Sequence, residues 1–386
     1  ERMKCMRILH LSDLHIGIKL YNHDLHKDQE YLFEQITDYV REYQPDAVLI
    51  AGDIYDKAAP SVESVQLFNH FMEALYEASD TAQIMIISGN HDSAQRLDYF
   101  SWLLSQQRVH MVGIAPCKPD EYIKKVVLTD AYGPVNFYLL PFCKPSVLKG
   151  ALKDEETTNY NEALHRLFAR ETIDNRERNI LVSHQFYLPL GKDANDIERM
   201  ESEITAVGNI DVVGSDLLEP FEYAALGHIH KPMSAGDSRF RYSGTPMAYS
   251  VSEAGQEKGI LMVDIGNKGE PVTVTRLLLT PKHQVRIIED TFETVLRQAS
   301  EDYVQINLTD MQDLDVIDLQ ERLFLAFPNL LEIRRMYIRG ADFSNTACND
   351  VYDSPYELIC SFIPDMDTEE QEIIQSVINE ALEVDA

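Results

Sequence analysis

Five short polar clusters stand out in this chain: Asp13-Leu14-His15, Gly52-Asp53, Gly89-Asn90-His91-Asp92, a lone His184, and Gly227-His228-Ile229-His230. Together they offer carboxylate, amide and imidazole donors but no thiolate. That mixed nitrogen and oxygen set suits Mn²⁺, Fe²⁺ or Zn²⁺ in a catalytic role better than a structural zinc. Two such ions about 3.5–4 Å apart can share a hydroxide and clamp the attacking and leaving oxygens of an in-line displacement at phosphorus. Asp53 has two carboxylate oxygens and can therefore bridge two ions, and Gly52 before it lets backbone and metal approach closely. Asn90 supplies a neutral carbonyl oxygen. His91, its neighbour, is expected to point elsewhere, which makes it the candidate to contact the phosphate and protonate the leaving oxygen. Asp92 reads as a cap for the helix that follows. Any one of these side chains alone is more often an ordinary core or surface residue; their joint occurrence carries the reading. His10, His23, His26, His70, His110, His165 and His283 lie outside such clusters and read as ordinary.

Each cluster follows an apolar run. The run from Arg7 to Asp13 reads as a strand, and Leu32, Phe33, Ile36, Tyr39 and Val40 then recur at helical spacing over 27–43. A second strand at 47–51 precedes a helix over 61–78 capped by Ser61, and a third at 84–87 precedes a helix near 94–104. Alternating strands and amphipathic helices predict parallel βαβ units covered on both faces. Residues two apart on a strand share a face, so Asp13 and His15 can both point at one metal, and His228 with His230 repeats that geometry. The middle of the chain is richer in strands, at 125–128, 137–140, 180–182, 223–226, 240–242, 259–263 and 272–279. The fold class expected is α/β, with two packed sheets flanked by helices. A boundary near Thr280-Pro281-Lys282 leads into a small α+β domain with a strand at 303–308, a helix over 316–327 and a strand from Leu331. Thr368 and Gln371 then open a final helix whose apolar stripe packs on its own domain or docks a partner.

With Lys+Arg 34 against Asp+Glu 64, the formal net charge is −30, which weighs against an unaided grip on nucleic acid. The charge is uneven: residues 341–386 carry twelve acidic residues and no Lys or Arg. Metal ions would reverse the field at a carboxylate-rich site, so the charge weakens a nucleic-acid reading without excluding it. Five cysteines without CxxC spacing (Cys5, Cys117, Cys143, Cys348, Cys360) read as reduced, buried thiols of a cytoplasmic protein. No apolar run approaches a membrane span, and Ile8 to Leu11 reads as a strand rather than a signal segment. No Gly-x-x-x-x-Gly-Lys-[Ser/Thr] occurs, which excludes a P-loop ATPase within this chain.

The order D-x-H, GD, GNHD, H, G-H-x-H resembles the calcineurin-like metallophosphoesterase superfamily. The stretches 7–17, 52–56, 225–230 and 242–246 are similar, more narrowly, to its DNA-end-processing nuclease subunits. That resemblance implies two metals, Mn²⁺ foremost. Asp13, His15, Asp53 and His230 would hold the first, and Asp53, Asn90, His184 and His228 the second, with His91 catalytic. It implies 3′→5′ exonuclease action on duplex ends and endonuclease action on single strands and hairpins. It also implies a homodimer and a coiled-coil ATPase partner. In domains it implies a nuclease domain over 1–280, a DNA-capping domain over 283–365 and a partner-docking element at 366–386. Archaeal relatives place a second histidine where this chain has Asp56, so roles for Asp56 and Asp92 near substrate are open. A phosphodiesterase for small substrates on the same fold is the alternative. A scaffold that has lost its metals fits less well, because the donor set is complete.

Overall fold

The structure is a computed structural model that describes residues 5–154, 156–189, 200, 203, 211–310 and 316–336. The chain opens with β1 (Met6–Leu11), a hairpin of β2 (Lys19–Leu20) and β3 (His23–Asp24), helix α1 (His26–Tyr43), β4 (Ala47–Ala51), α2 (Val62–Ala78) and β5 (Gln83–Ile87). Two short helices, α3 (Ala94–Leu97) and α4 (Ser101–Leu104), lead to β6 (Val109–Val112). Strands β1, β4, β5 and β6 pair in parallel, in that order. All five residues of β4 are buried, as expected of a strand covered on both faces.

The second sheet follows. The chain runs through β7 (Lys124–Asp130), β8 (Gly133–Leu140), α5 (Pro145–Leu152), α6 (Tyr160–Arg170) and β9 (Arg178–Ser183). A small pair, β10 (Phe186–Leu188) and β11 (Val212–Gly214), precedes β12 (Tyr223–Leu226), β13 (Met233–Ser234) and β14 (Phe240–Tyr242). The sheet order is β13-β14-β12-β9-β8-β7. Strands β15 (Gly259–Ile265) and β16 (Thr273–Leu278) return to the first sheet, where β15 runs antiparallel to β1.

The two sheets bury Ile8, Leu49, Met85 and Ile87 against Phe137, Leu139, Ile180 and Val182. Leu32, Phe33 and Ile36 of α1 and Leu67, Phe68 and Phe71 of α2 cover the outer face of the first sheet; Leu148, Leu164 and Leu167 of α5 and α6 cover the second. The result is a helix–sheet–sheet–helix sandwich, the architecture expected from the sequence. Beyond it, β17 (Val285–Asp290), α7 (Phe292–Leu296), β18 (Tyr303–Leu308), α8 (Val316–Ala326) and β19 (Leu330–Arg335) form a parallel three-stranded sheet with its own core around Val304, Ile306 and Leu323.

The backbone divides into a unit Glu1–Tyr337 and a unit Ile338–Ala386. The second lies wholly outside the described residues, and with it the expected helix within 366–386, Cys348 and Cys360. Among the described residues no helix is long and apolar enough to cross a membrane. Two expectations need correction. The helix near 94–104 is broken: Phe100 takes a left-handed conformation (φ 59°), and the Asp98 side chain accepts from Gly113 N at 3.3 Å. Of the described cysteines, Cys143 alone is buried, while Cys5 and Cys117 are half-buried.

Candidate metal centre

All five clusters lie just past the carboxyl ends of strands β1, β4, β5, β9 and β12, at one rim of the sandwich. Strand alternation is not what aims them. Asp13 (φ 53°), His15 (φ 42°), Asp53 (φ 49°) and His228 (φ 94°) have already left their strands and sit at positive φ. These are four of the nine non-glycine residues at positive φ among the described residues, so uncommon backbone geometry is concentrated here. Asp13 N and His15 N donate to Gly52 O and Asp53 O, each at 3.0 Å, which zips the loop after β1 to the loop after β4. Gly89 is required by space. A Cβ there would collide with the Asp53 carboxylate and backbone nitrogen, so the loop after β5 could not close on the metal loop.

Three groups of side-chain donors each lie within 4.8 Å of one another: Asp13, His15 and His230; His15, Asp53 and His91; Asp13, Asp53 and His184. His15 Nε2 faces His230 Nε2 at 3.1 Å and Asp53 Oδ2 at 3.6 Å. His184 Nε2 lies 3.3 Å from Asp53 Oδ2 and 3.1 Å from Asn90 Oδ1, which is 2.9 Å from His228 Nδ1. The seven expected ligands therefore converge, and Asp53 touches both ends of the cluster. This donor set fits a pair of divalent cations sharing one carboxylate.

Hydrogen bonds on the far side of each ring fix which nitrogen faces inward. A carbonyl only accepts, so Ala51 O holds the proton on His184 Nδ1 (2.7 Å) and leaves Nε2 free to ligate. Asp56 O does the same for His91 Nδ1 (2.8 Å), while His91 N donates to Asp53 Oδ1. Asp56 therefore acts on His91 through its backbone. Burial opposes a charge on Asp53, but the neighbouring His184, His15 and His91 hold it well below the usual carboxylate range. Burial likewise opposes a charge on His184, yet Asp53 and Asp13 push it up to about 9. His15 is lowered, first by burial and then by the surrounding imidazoles.

Asp92 does not cap a helix. Its oxygens accept from Ile54 N, Tyr55 N and Gly89 N, stapling the loops after β4 and β5, and the cap position of α3 is Ser93. Burial and the Asp53 charge push the Asp92 carboxyl up to about 6. Other supporting residues escaped sequence reasoning. Gln29 donates to Leu14 O and His15 O and accepts from Gly17 N, so it supports the whole metal loop after β1. Tyr249 OH also donates to Leu14 O. Asp211 faces His228 Nε2 at 3.7 Å, and Glu203 accepts from His230 N. None of these lies in a polar cluster at a strand end, the one signal by which the sequence betrays the site.

The pattern that defines the calcineurin-like phosphoesterase family matches residues 6–232, the span that holds every cluster described above. The chain is 31% identical over 339 residues to the D component of the SbcCD nuclease of Staphylococcus epidermidis, covering 85% of each chain. It is 29% identical over 335 residues to the component of the same name from Staphylococcus saprophyticus, covering 85% of this chain and 84% of that one.

Proposed function

Since the chain belongs to the calcineurin-like phosphoesterase family, is a metal-dependent hydrolase and resembles SbcD nucleases along most of its length, we propose that it cuts DNA at a two-metal centre. The reaction would be 3′→5′ exonuclease action on duplex ends together with endonuclease action on single strands and hairpins, in DNA end processing and repair. Asp13, His15, Asp53 and His230 would hold one Mn²⁺, and Asp53, Asn90, His184 and His228 the other. The convergence of these seven side chains carries the reading. When bound, the metals supply an activated water and charge neutralisation at phosphorus.

The remaining chemistry belongs to His91. Its side chain is 11% exposed, against 1% for His15, 0% for His184, 6% for His228 and 2% for His230, so among these imidazoles it reaches furthest toward a substrate. With Nδ1 fixed on Asp56 O, Nε2 is the atom that can hold a proton and give it to the leaving oxygen. An SbcC-type coiled-coil ATPase would supply ATP gating and basic surface to a chain of net charge −30. The working form would be a cytoplasmic homodimer whose segment 283–365 caps the DNA and whose segment 366–386 docks the ATPase.

Mn²⁺-dependent shortening of an end-labelled linear duplex tests this, with wild type and His91→Ala, with and without the ATPase and ATP. Wild type shortens the duplex, and the ATPase enhances it. His91→Ala loses about 10²–10⁴-fold while keeping its metals. No cleavage under any condition, alongside hydrolysis of a small phosphodiester, would replace this reading with that of a small-substrate phosphodiesterase.

A further inference from the structure

Behind His230 lies a buried charge pair that the site does not explain. Lys258, just before β15, is 5% exposed, and Glu253 is 0% exposed. The Lys258 ammonium spends three donors on His230 O (3.0 Å), Thr245 Oγ1 (2.8 Å) and Glu253 Oε2 (2.6 Å), the full number it has. Glu253 Oε2 also accepts from Thr245 Oγ1. Its other oxygen accepts from Ser250 Oγ and Tyr249 N and faces His230 Nδ1 at 3.9 Å. Thr245 N adds a second hold on His230 O at 3.2 Å. Gly244 (φ 74°) lets the 242–246 loop lie this close, since a Cβ there would sit 2.6 Å from His230 O. In the same loop, Ser243 Oγ reaches Ser12 Oγ at 2.7 Å, and Ser12 in turn bonds the Asp13 carboxylate.

We propose that Glu253 and Lys258 are positioning residues for metal binding, a buried strut that fixes the backbone and ring of His230 and thereby sets the affinity of the ion His230 holds. The inference rests on His230 being a metal ligand. Stability alone does not account for the pair. A buried ion pair replaced by well-packed apolar residues usually leaves a fold as stable or more so, whereas removal of one partner is costly. What a charged pair supplies here is direction. One end holds the His230 carbonyl, and the other presents a carboxylate to His230 Nδ1, the ring nitrogen opposite the one that faces His15. Carboxylates in that position orient a ligating imidazole and raise its basicity, and their loss typically weakens metal binding about 10–100-fold.

The test is Mn²⁺ titration of the full chain, paired with thermal melting, for wild type, His230→Ala, Glu253→Gln and the double variant Glu253→Gln with Lys258→Met. The double variant removes both buried charges together, so it decides the matter if the single one does not fold. The expected result is one ion bound about 10–100-fold more weakly, the other unchanged, in a double variant that melts like wild type. Wild-type affinity for both ions in the double variant, or equal weakening of both with a lower melting point, overturns the strut. If His230→Ala weakens one ion and the strut variants do not, the strut alone falls. If His230→Ala keeps both ions at wild-type affinity, the ligand reading falls and takes the strut with it.

Discussion

A protonated imidazole cannot ligate, so if His184 holds a metal as proposed, the proton on its ring is a measurable competitor. Without metal, the charges of Asp53 and Asp13 hold its proton until pH rises to about 9. At neutral pH an incoming cation therefore displaces that proton, and Mn²⁺ affinity should climb as pH rises from 6 toward 9 and level off above it. Titrations across that range, scored for proton release in buffers of different ionisation enthalpy, check both halves of the statement. For the metal-free chain the sign is opposite. A histidine whose folded value is raised stabilises the fold fully below its ordinary value of 6.5, and that contribution is lost as pH passes about 9. The donors themselves were legible in the sequence, because Asp-x-His, Gly-Asp, Gly-Asn-His-Asp and Gly-His-x-His at strand ends are chemically conspicuous. The way they are aimed was not. Alternation on a strand was the available rule, whereas Asp13, His15, Asp53 and His228 reach inward from positive φ, a feature that composition does not announce outside glycine.

At the scale of elements, the first turn of α1 does two things at once. Gln29 carries the loop of Asp13 and His15, with Nε2 shared between Leu14 O (3.0 Å) and His15 O (3.1 Å) and Oε1 taking Gly17 N (3.2 Å). Gln29→Leu strands Gly17 N and takes one of two donors from Leu14 O, which keeps Tyr249 OH, and from His15 O, which keeps Ile18 N. It should cost about 1–3 kcal/mol in denaturant unfolding and weaken Mn²⁺ binding about 10–100-fold. A variant that loses stability while keeping metal affinity would show that the loop holds its shape without help. Helical periodicity located α1 well, but a polar residue on a helix is read as solvent-facing, so the buried Gln29 went unnoticed. The break between α3 and α4 was missed for a related reason. A pattern of apolar spacing registers that residues could be helical, and it does not register that Asp98 is drawn to Gly113 N or that Phe100 turns left-handed.

For the molecule as a whole, the residue beside Gln29 joins the sandwich to the three-stranded sheet. Asp28 is 2% exposed; it accepts from His283 N (3.2 Å), His283 Nδ1 (2.8 Å) and Tyr303 OH (3.0 Å). Asp28→Ala strands those donors, and a loss of at least about 1–3 kcal/mol is expected, with earlier proteolytic cleavage near Pro281 as a second readout. An unchanged melting curve would mean that the joint is held elsewhere. Hydrophobic runs made the two-sheet sandwich legible, and Thr280-Pro281-Lys282 falls between β16 and β17. They did not reveal that residues 285–335 remain in the same compact unit, where Val285 and Tyr303 join the apolar core under α1 and Asp28 bonds Tyr303. The pairing of β1 with β15, Met6 opposite Ile265, has a last consequence, for synthesis. A ribosome must translate past Ile265 before the first strand has both neighbours, and past Lys258 before His230 has its strut. Contacts this distant in sequence form late. If this chain cuts DNA, a half-made copy already carries Asp13 and His15 but not yet the partners that complete the cutting site.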